Sequence, residues 1–123
     1  LDENLIMIIQ RIKDIVFNNQ FSLQSEKLAQ SELEILFLNH NINFHREYRL
    51  NNKNIIDFYL PDERIGIELK VKGSSLKIYK QLERYCKFDD IDQIVLITNK
   101  SMGLPSKIEG KDVFFIPFSI AYL

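Results

Sequence analysis

Residues 55–73, IIDFYLPDERIGIELKVKG, constrain this chain more than any other stretch. Two β-rich runs flank the turn PDER, yet Asp57 sits inside the first and Glu68 inside the second, with Lys70 two residues on. An antiparallel hairpin turning between Asp62 and Glu63 sets Ile56 opposite Leu69, Phe58 opposite Ile67 and Leu60 opposite Ile65. Those pairs are apolar and share one side, which is what fixes a register. On the other side the same register lays Asp57 across from Glu68 and Ile55 across from Lys70. Opposed β-carbons stand ~5 Å apart, and like charges there destabilise a sheet. Two carboxylates so placed need a shared proton or a cation.

A divalent metal resolves the conflict. Hard ions such as Mg²⁺ take oxygen ligands, typically a few carboxylates completed by water and phosphate. Lys70 lies on the face of Glu68, because side chains alternate with period two. From there it can orient or deprotonate a metal-activated water, or stabilise charge building on a phosphate. The competing reading is an outward face of ordinary ion pairs.

Around the hairpin the chain reads as a run of short elements. Leu5, Ile8, Ile9, Ile12 and Val16, with Ile15 beside them, predict an amphipathic opening helix. FNNQFS ends it, and Ser22 or Ser25 caps a second helix expected from Leu23 to His40. Strands are expected at 44–50, 55–60 and 65–71, a third helix from Ser75 to Phe88, and a buried strand at QIVLITN. VFFIPF closes the chain as a strand whose Pro117 marks an edge or an end. The order α-α-β-β-β-α-β-β predicts an α/β domain with helices flanking one central mixed sheet.

In the second helix, Leu28, Ile35 and Leu36 place Glu32 on the inward stripe, where a carboxylate is costly unless paired. It either completes the metal shell or bonds a buried Lys or Arg. Glu26 and Glu34 fall off that stripe and read as surface. In the third helix, Ile78, Leu82, Tyr85 and Cys86 form the packing stripe. Gln81 and Tyr85 are neighbours one turn apart, with Gln81 at the stripe's margin.

Composition bounds the remaining classes. The 123 residues are 46% hydrophobic and 27% charged, enough for one real core. No apolar run approaches the ~18 residues of a membrane span, and LDENLIMIIQRIK is no signal-peptide pattern. A lone Cys86 suits a reducing, cytoplasmic setting. Beginning at Leu1, the chain is expected to be trimmed or a piece of something longer. Net charge is −1, yet Lys70, Lys72, Lys77, Lys80, Arg84 and Lys87 cluster in one stretch against Glu83 alone. That stripe is either phosphate-contacting or a solvated helix face.

Together these residues resemble the PD-(D/E)xK nuclease superfamily, the restriction-endonuclease-like fold. The match is Glu32 in a helix, Asp57 in IIDFYL and Glu68-Leu69-Lys70 in GIELKV, across roughly residues 25–100. QLERY also resembles the Q-x-x-x-Y helix motif of the RecB-type branch, carried by Gln81 and Tyr85. The resemblance implies a Mg²⁺-dependent deoxyribonuclease, with Mn²⁺ as a substitute. Asp57, Glu68, the Leu69 carbonyl and Glu32 would serve the metal, and Lys70, Gln81 and Tyr85 would complete the active site. Lys72, Lys77, Lys80 and Arg84 would contact DNA. It divides the chain into an N-terminal helix, 1–21, appended to a nuclease-like domain, 22–123, compact as a whole. Where the signature has Pro, this chain has Ile56. A homodimer, a larger nuclease complex, or a non-cutting module that still binds nucleic acid are all compatible with it.

Other chemistries find less. His40 and His45 have no second Cys to make a zinc site, and no Gly-rich phosphate loop is present. His45, with Arg46 and Arg49, either meets phosphate or decorates an exposed strand. NKSMGLPSKIEGKD reads as a flexible loop.

Overall fold

A computed structural model describes residues 2–118; Leu1 and residues 119–123, which the expected segments include, lie outside the described residues. The elements are α1 (Glu3–Phe17), α2 (Glu26–Asn39), β1 (His45–Arg49), β2 (Ile55–Leu60), β3 (Ile65–Lys70), α3 (Ser75–Tyr85), β4 (Gln93–Thr98), β5 (Lys107–Ile108) and β6 (Lys111–Pro117). Each helix starts on a side-chain cap: Asp2, Ser25 and Ser74 accept the N–H groups of Leu5, Leu28 and Lys77. Such caps satisfy donors that the first turn leaves unpaired. Ser25, not Ser22, therefore sets the start of α2.

Six strands form one mixed sheet in the order β1-β2-β3-β4-β6-β5. β1, β2 and β3 run antiparallel, β3, β4 and β6 parallel, and β5 returns antiparallel on β6. The sequence did not announce β5, whose two residues are too few for periodicity to register. Its pairing places β6 inside the sheet, and Pro117 stands at the end of β6, where a missing N–H costs little.

The sheet separates two cores. α1 and α2 cover one face, where Ile12, Val16, Leu33 and Phe37 meet Phe58, Ile67, Leu69 and Val95. α3 covers the other, where Ile78, Leu82 and Tyr85 meet Ile56, Tyr59, Ile94 and Leu96. The result is a three-layer α/β arrangement in which α1 shares a core with α2. Among the described residues no helix is long and apolar enough to cross a membrane.

The hairpin keeps its expected register at Phe58–Ile67 and Leu60–Ile65. Beyond that the expected pairs fail: Ile55–Lys70 and Asp57–Glu68 are not ladder partners, and Ile56 does not face Leu69. It belongs to the α3-side core, while Phe58, two residues on, belongs to the other. The cause is a step shared by two strands. β1 pairs with β2 at Arg46–Phe58 and at Tyr48–Ile56, but the level of Glu47 and Asp57 drops out. Glu47 there has φ 53, a left-handed conformation costly for a residue with a side chain. Past that level the alternation resets, and Ile56 and Tyr48 turn toward α3. Gly66 supplies the room, since a β-carbon on it would stand 2.4 Å from Ile56 Cδ1 and 2.8 Å from Ile91 Cδ1.

Candidate active site

Asp57, released from the ladder, is tied to β3 by its own groups. Its N–H donates to Glu68 Oε1 at 3.2 Å, and its Oδ2 accepts the Leu69 N–H at 2.8 Å. The two carboxylates thus meet as expected, through a reciprocal lock rather than flat cross-strand pairing. Leu69 offers Asp57 its N–H. Lys70 Nζ lies 3.3 Å from Glu68 Oε2, with the Glu68 side chain 2% exposed and that of Lys70 19% exposed.

This is an electrostatically stressed arrangement. Burial raises the Glu68 carboxyl well above the ordinary carboxylate range, Asp57 adds to the rise, and Lys70 opposes it. Burial likewise raises Asp57, against the Leu69 N–H and the Lys70 charge. Low dielectric disfavours the ionised forms, and one lysine cannot neutralise both.

α3 supplies the wall. Gln81 Nε2 donates to Tyr85 Oη at 2.7 Å, and the Tyr85 hydroxyl donates to the Ile55 carbonyl at 2.9 Å. Burial, then the Glu68 charge, raise the Tyr85 phenol, so it stays a neutral donor joining α3 to the start of β2.

Glu32 is not in this group, contrary to expectation. It accepts the Ser22 N–H at 2.8 Å and the Ser22 hydroxyl at 3.0 Å, fixing the chain that enters α2. The apolar stripe that pointed to it is not the buried one: Leu28 and Ile35 are exposed, and α2 buries Ala29, Gln30, Leu33 and Phe37. Glu26, expected on the surface, reaches the site instead. Its Oε1 accepts the N–H groups of Val71 and Lys72 at 3.0 and 3.2 Å, and its charge pushes Asp57 further up. The available signal was its position, an acid directly after the Ser25 cap.

Lys72, Lys77, Lys80 and Arg84 are exposed on the turn after β3 and on α3. Arg84 Nε lies 3.4 Å from Asn54 Oδ1. Arg46 is committed elsewhere: it donates to Glu34 and Gln30 and lies over the Phe58 ring, so it is not a free phosphate contact beside His45. Met102 and Leu104 pack on the α3-side core, which anchors the loop expected to be flexible. Cys86 is buried, its thiol raised to about 11 by burial, as suits a packing residue.

Among the described residues, no group of three or more His, Cys, Asp or Glu side chains is gathered to hold an ion. Asp57 and Glu68 make a two-carboxylate donor set of hard oxygens with unresolved negative charge. That fits a Mg²⁺-like ion, which keeps several waters and uses one or two carboxylates, better than an ion needing a full protein cage. Compared with protein-family models, curated proteins and solved structures, the chain matches none.

Proposed function

We propose that this chain is a metal-dependent nuclease that hydrolyses phosphodiester bonds, DNA being the favoured substrate, of the PD-(D/E)xK kind its sequence resembles. The observation that carries the reading is the half-buried Asp57 locked against the buried Glu68, with Lys70 at 3.3 Å from Glu68. A structural ion pair has one partner per charge; here the excess carboxylate is what a cation would satisfy. Asp57 and Glu68 would hold Mg²⁺, or Mn²⁺ in its place. Bound metal supplies a Lewis acid and a nucleophilic water at neutral pH. Lys70 would orient the attacking water and stabilise negative charge on the attacked phosphate. Glu26 fixes the exit of β3 and with it the aim of Lys70. Tyr85 holds the start of β2, and Gln81, bonded to it, orients toward Lys70 or a phosphate. Lys72, Lys77, Lys80 and Arg84 contact the backbone and bind without reading sequence.

The test is cleavage of linear, circular, single-stranded and branched DNA, and of RNA, in Mg²⁺, Mn²⁺ or EDTA. Metal-dependent cutting is expected, reduced about 10²–10³-fold by Lys70→Ala and at least as far by Glu68→Ala, the range lost when one charge-stabilising group is removed. Circular dichroism checks that both variants fold. An intact protein that cuts none of these with either metal overturns the reading and leaves a nuclease-fold binding module.

A further inference from the structure

Among the described residues, four other than glycine have a positive φ, and three of them stand in turns. These are Asn41 after α2, Arg64 between β2 and β3, and Glu109 between β5 and β6. Glu47 differs, because it lies inside β1. Residues two apart in a regular strand share a face. Arg46 and Tyr48 do not. Arg46 lies over the Phe58 ring on the α1–α2 side, whereas Tyr48 stacks on Tyr59 at 4.2 Å on the α3 side. The left-handed residue between them turns the strand over. β2 turns over at the same level, since Phe58 packs in one core and Ile56 in the other. Of the two residues at that level, Glu47 and Asp57, only Glu47 is left-handed, so it carries the strain. Its side chain gives no reason for this. It is 56% exposed and stands 3.7 Å from Lys27, itself 83% exposed, a contact worth little.

We infer that Glu47 is a positioning residue for the candidate site, acting through its backbone and not its carboxylate. Its left-handed φ turns β1 over, β2 follows, and Asp57 leaves the ladder at that level. Freed there, Asp57 turns to β3, giving its N–H to Glu68 and taking the Leu69 N–H on its carboxylate. With residue 47 extended, the level rejoins the ladder and Ile56 swings from the α3 side toward Leu69. Asp57 then becomes a flat cross-strand neighbour, and the lock that sets it against Glu68 is lost. Strained backbone persists where the surrounding structure holds it, and it gathers at working sites. An edge strand that never touches the reacting atoms thus sets the aim of one carboxylate. What Asp57 holds rests on the nuclease reading; the turning of the strand does not.

Three substitutions separate backbone from side chain. Alanine removes only the carboxylate, glycine also takes a positive φ freely, and β-branched valine resists it most. Glu47→Gly should melt about 4 °C above Glu47→Ala, the shift expected when a left-handed residue is relieved of its β-carbon. Ile56 Cδ1 lies against Gly66, so the Ile56 methyl gives an NMR cross-peak to the Gly66 α-protons. Glu47→Gly and Glu47→Ala should keep that cross-peak and the parent's Mn²⁺ affinity, measured by calorimetry without nucleic acid. Glu47→Val should lose the cross-peak and at least tenfold in Mn²⁺ affinity, the loss usual for a group that orients a ligand from behind. A valine variant that keeps both overturns the positioning role. So does a glycine variant that melts no higher than the alanine one, including where the valine chain does not fold. A parent that binds no Mn²⁺ sinks the metal reading instead, and the cross-peak alone then decides the role of Glu47.

Discussion

Asp57 and Glu68 bind protons more tightly in the folded chain than in the unfolded one, because burial raises both carboxyls and the Asp57 charge raises Glu68 further. Where the native state holds more protons, unfolding free energy falls as pH rises. The metal-free protein should therefore lose stability from the ordinary carboxylate range up through the raised Glu68 value. Glu68→Gln removes the charge that causes this. In EDTA its melting temperature should fall less between pH 5 and pH 8, and at pH 8 its unfolding free energy should exceed the parent's by on the order of 1 kcal/mol. Added Mg²⁺ should raise the parent's melting temperature at pH 8 and leave Glu68→Gln nearly unmoved. Parallel pH curves for the two proteins in EDTA would mean that the pair is not the stressed element described above.

Elements differ in how plainly the sequence announces them. α1 is legible because six apolar residues at helical spacing are all buried. β3 is legible because Ile65, Ile67 and Leu69 alternate cleanly with Gly66, Glu68 and Lys70. The step at Asp57 is not, because alternation assumes that every residue stays in the ladder, and nothing local marks Glu47 as left-handed. α2 misleads for a different reason. Its exposed Leu28 and Ile35 have the same chemistry as buried residues, so periodicity alone cannot choose the inward side. That ambiguity carries Glu32 into the expected site and Glu26 out of it. The two glutamates separate by experiment. Glu26→Ala leaves the Val71 and Lys72 N–H groups without their acceptor and loosens the exit of β3 beside Lys70. It should cost about 1–2 kcal/mol, the usual loss for an abandoned donor, and reduce cleavage at least tenfold. Glu32→Ala frees Ser22, with a similar stability cost and turnover within about twofold of the parent once folded. Equal losses of turnover would return Glu32 to the site.

Across the whole molecule a net charge of −1 conceals two poles. Asp2, Asp62, Glu63 and Asp92 gather with Arg64 at the end where β3 and β4 begin. Lys70 and Lys72 stand where β3 ends, and Lys77, Lys80 and Arg84 follow along α3. On the proposed reading a polyanion meets the exposed lysines and Arg84 of the α3 side rather than the acidic end, although the chain as a whole is near neutral. DNA binding measured in EDTA, without turnover, should weaken steeply with salt. Lys77→Ala combined with Lys80→Ala should flatten the log–log salt slope by about two, close to 0.9 for each phosphate that is no longer neutralised. A slope unchanged by the pair would place the nucleic acid on another face. The lock between Asp57 and β3 bears, finally, on how such a chain can change over generations. Asp57 supplies hydrogen bonds that the ladder gave up at its level, so a descendant with no use for the chemistry would still need it to knit β2 to β3. Gln81, which donates to the Tyr85 hydroxyl, carries no comparable duty to the sheet and on the proposed reading is free to drift in a descendant that does not cut; Lys70, the cation beside the buried Glu68, is not. Among descendants of this chain, it is Gln81, and not the aspartate, that would record whether the proposed activity was kept.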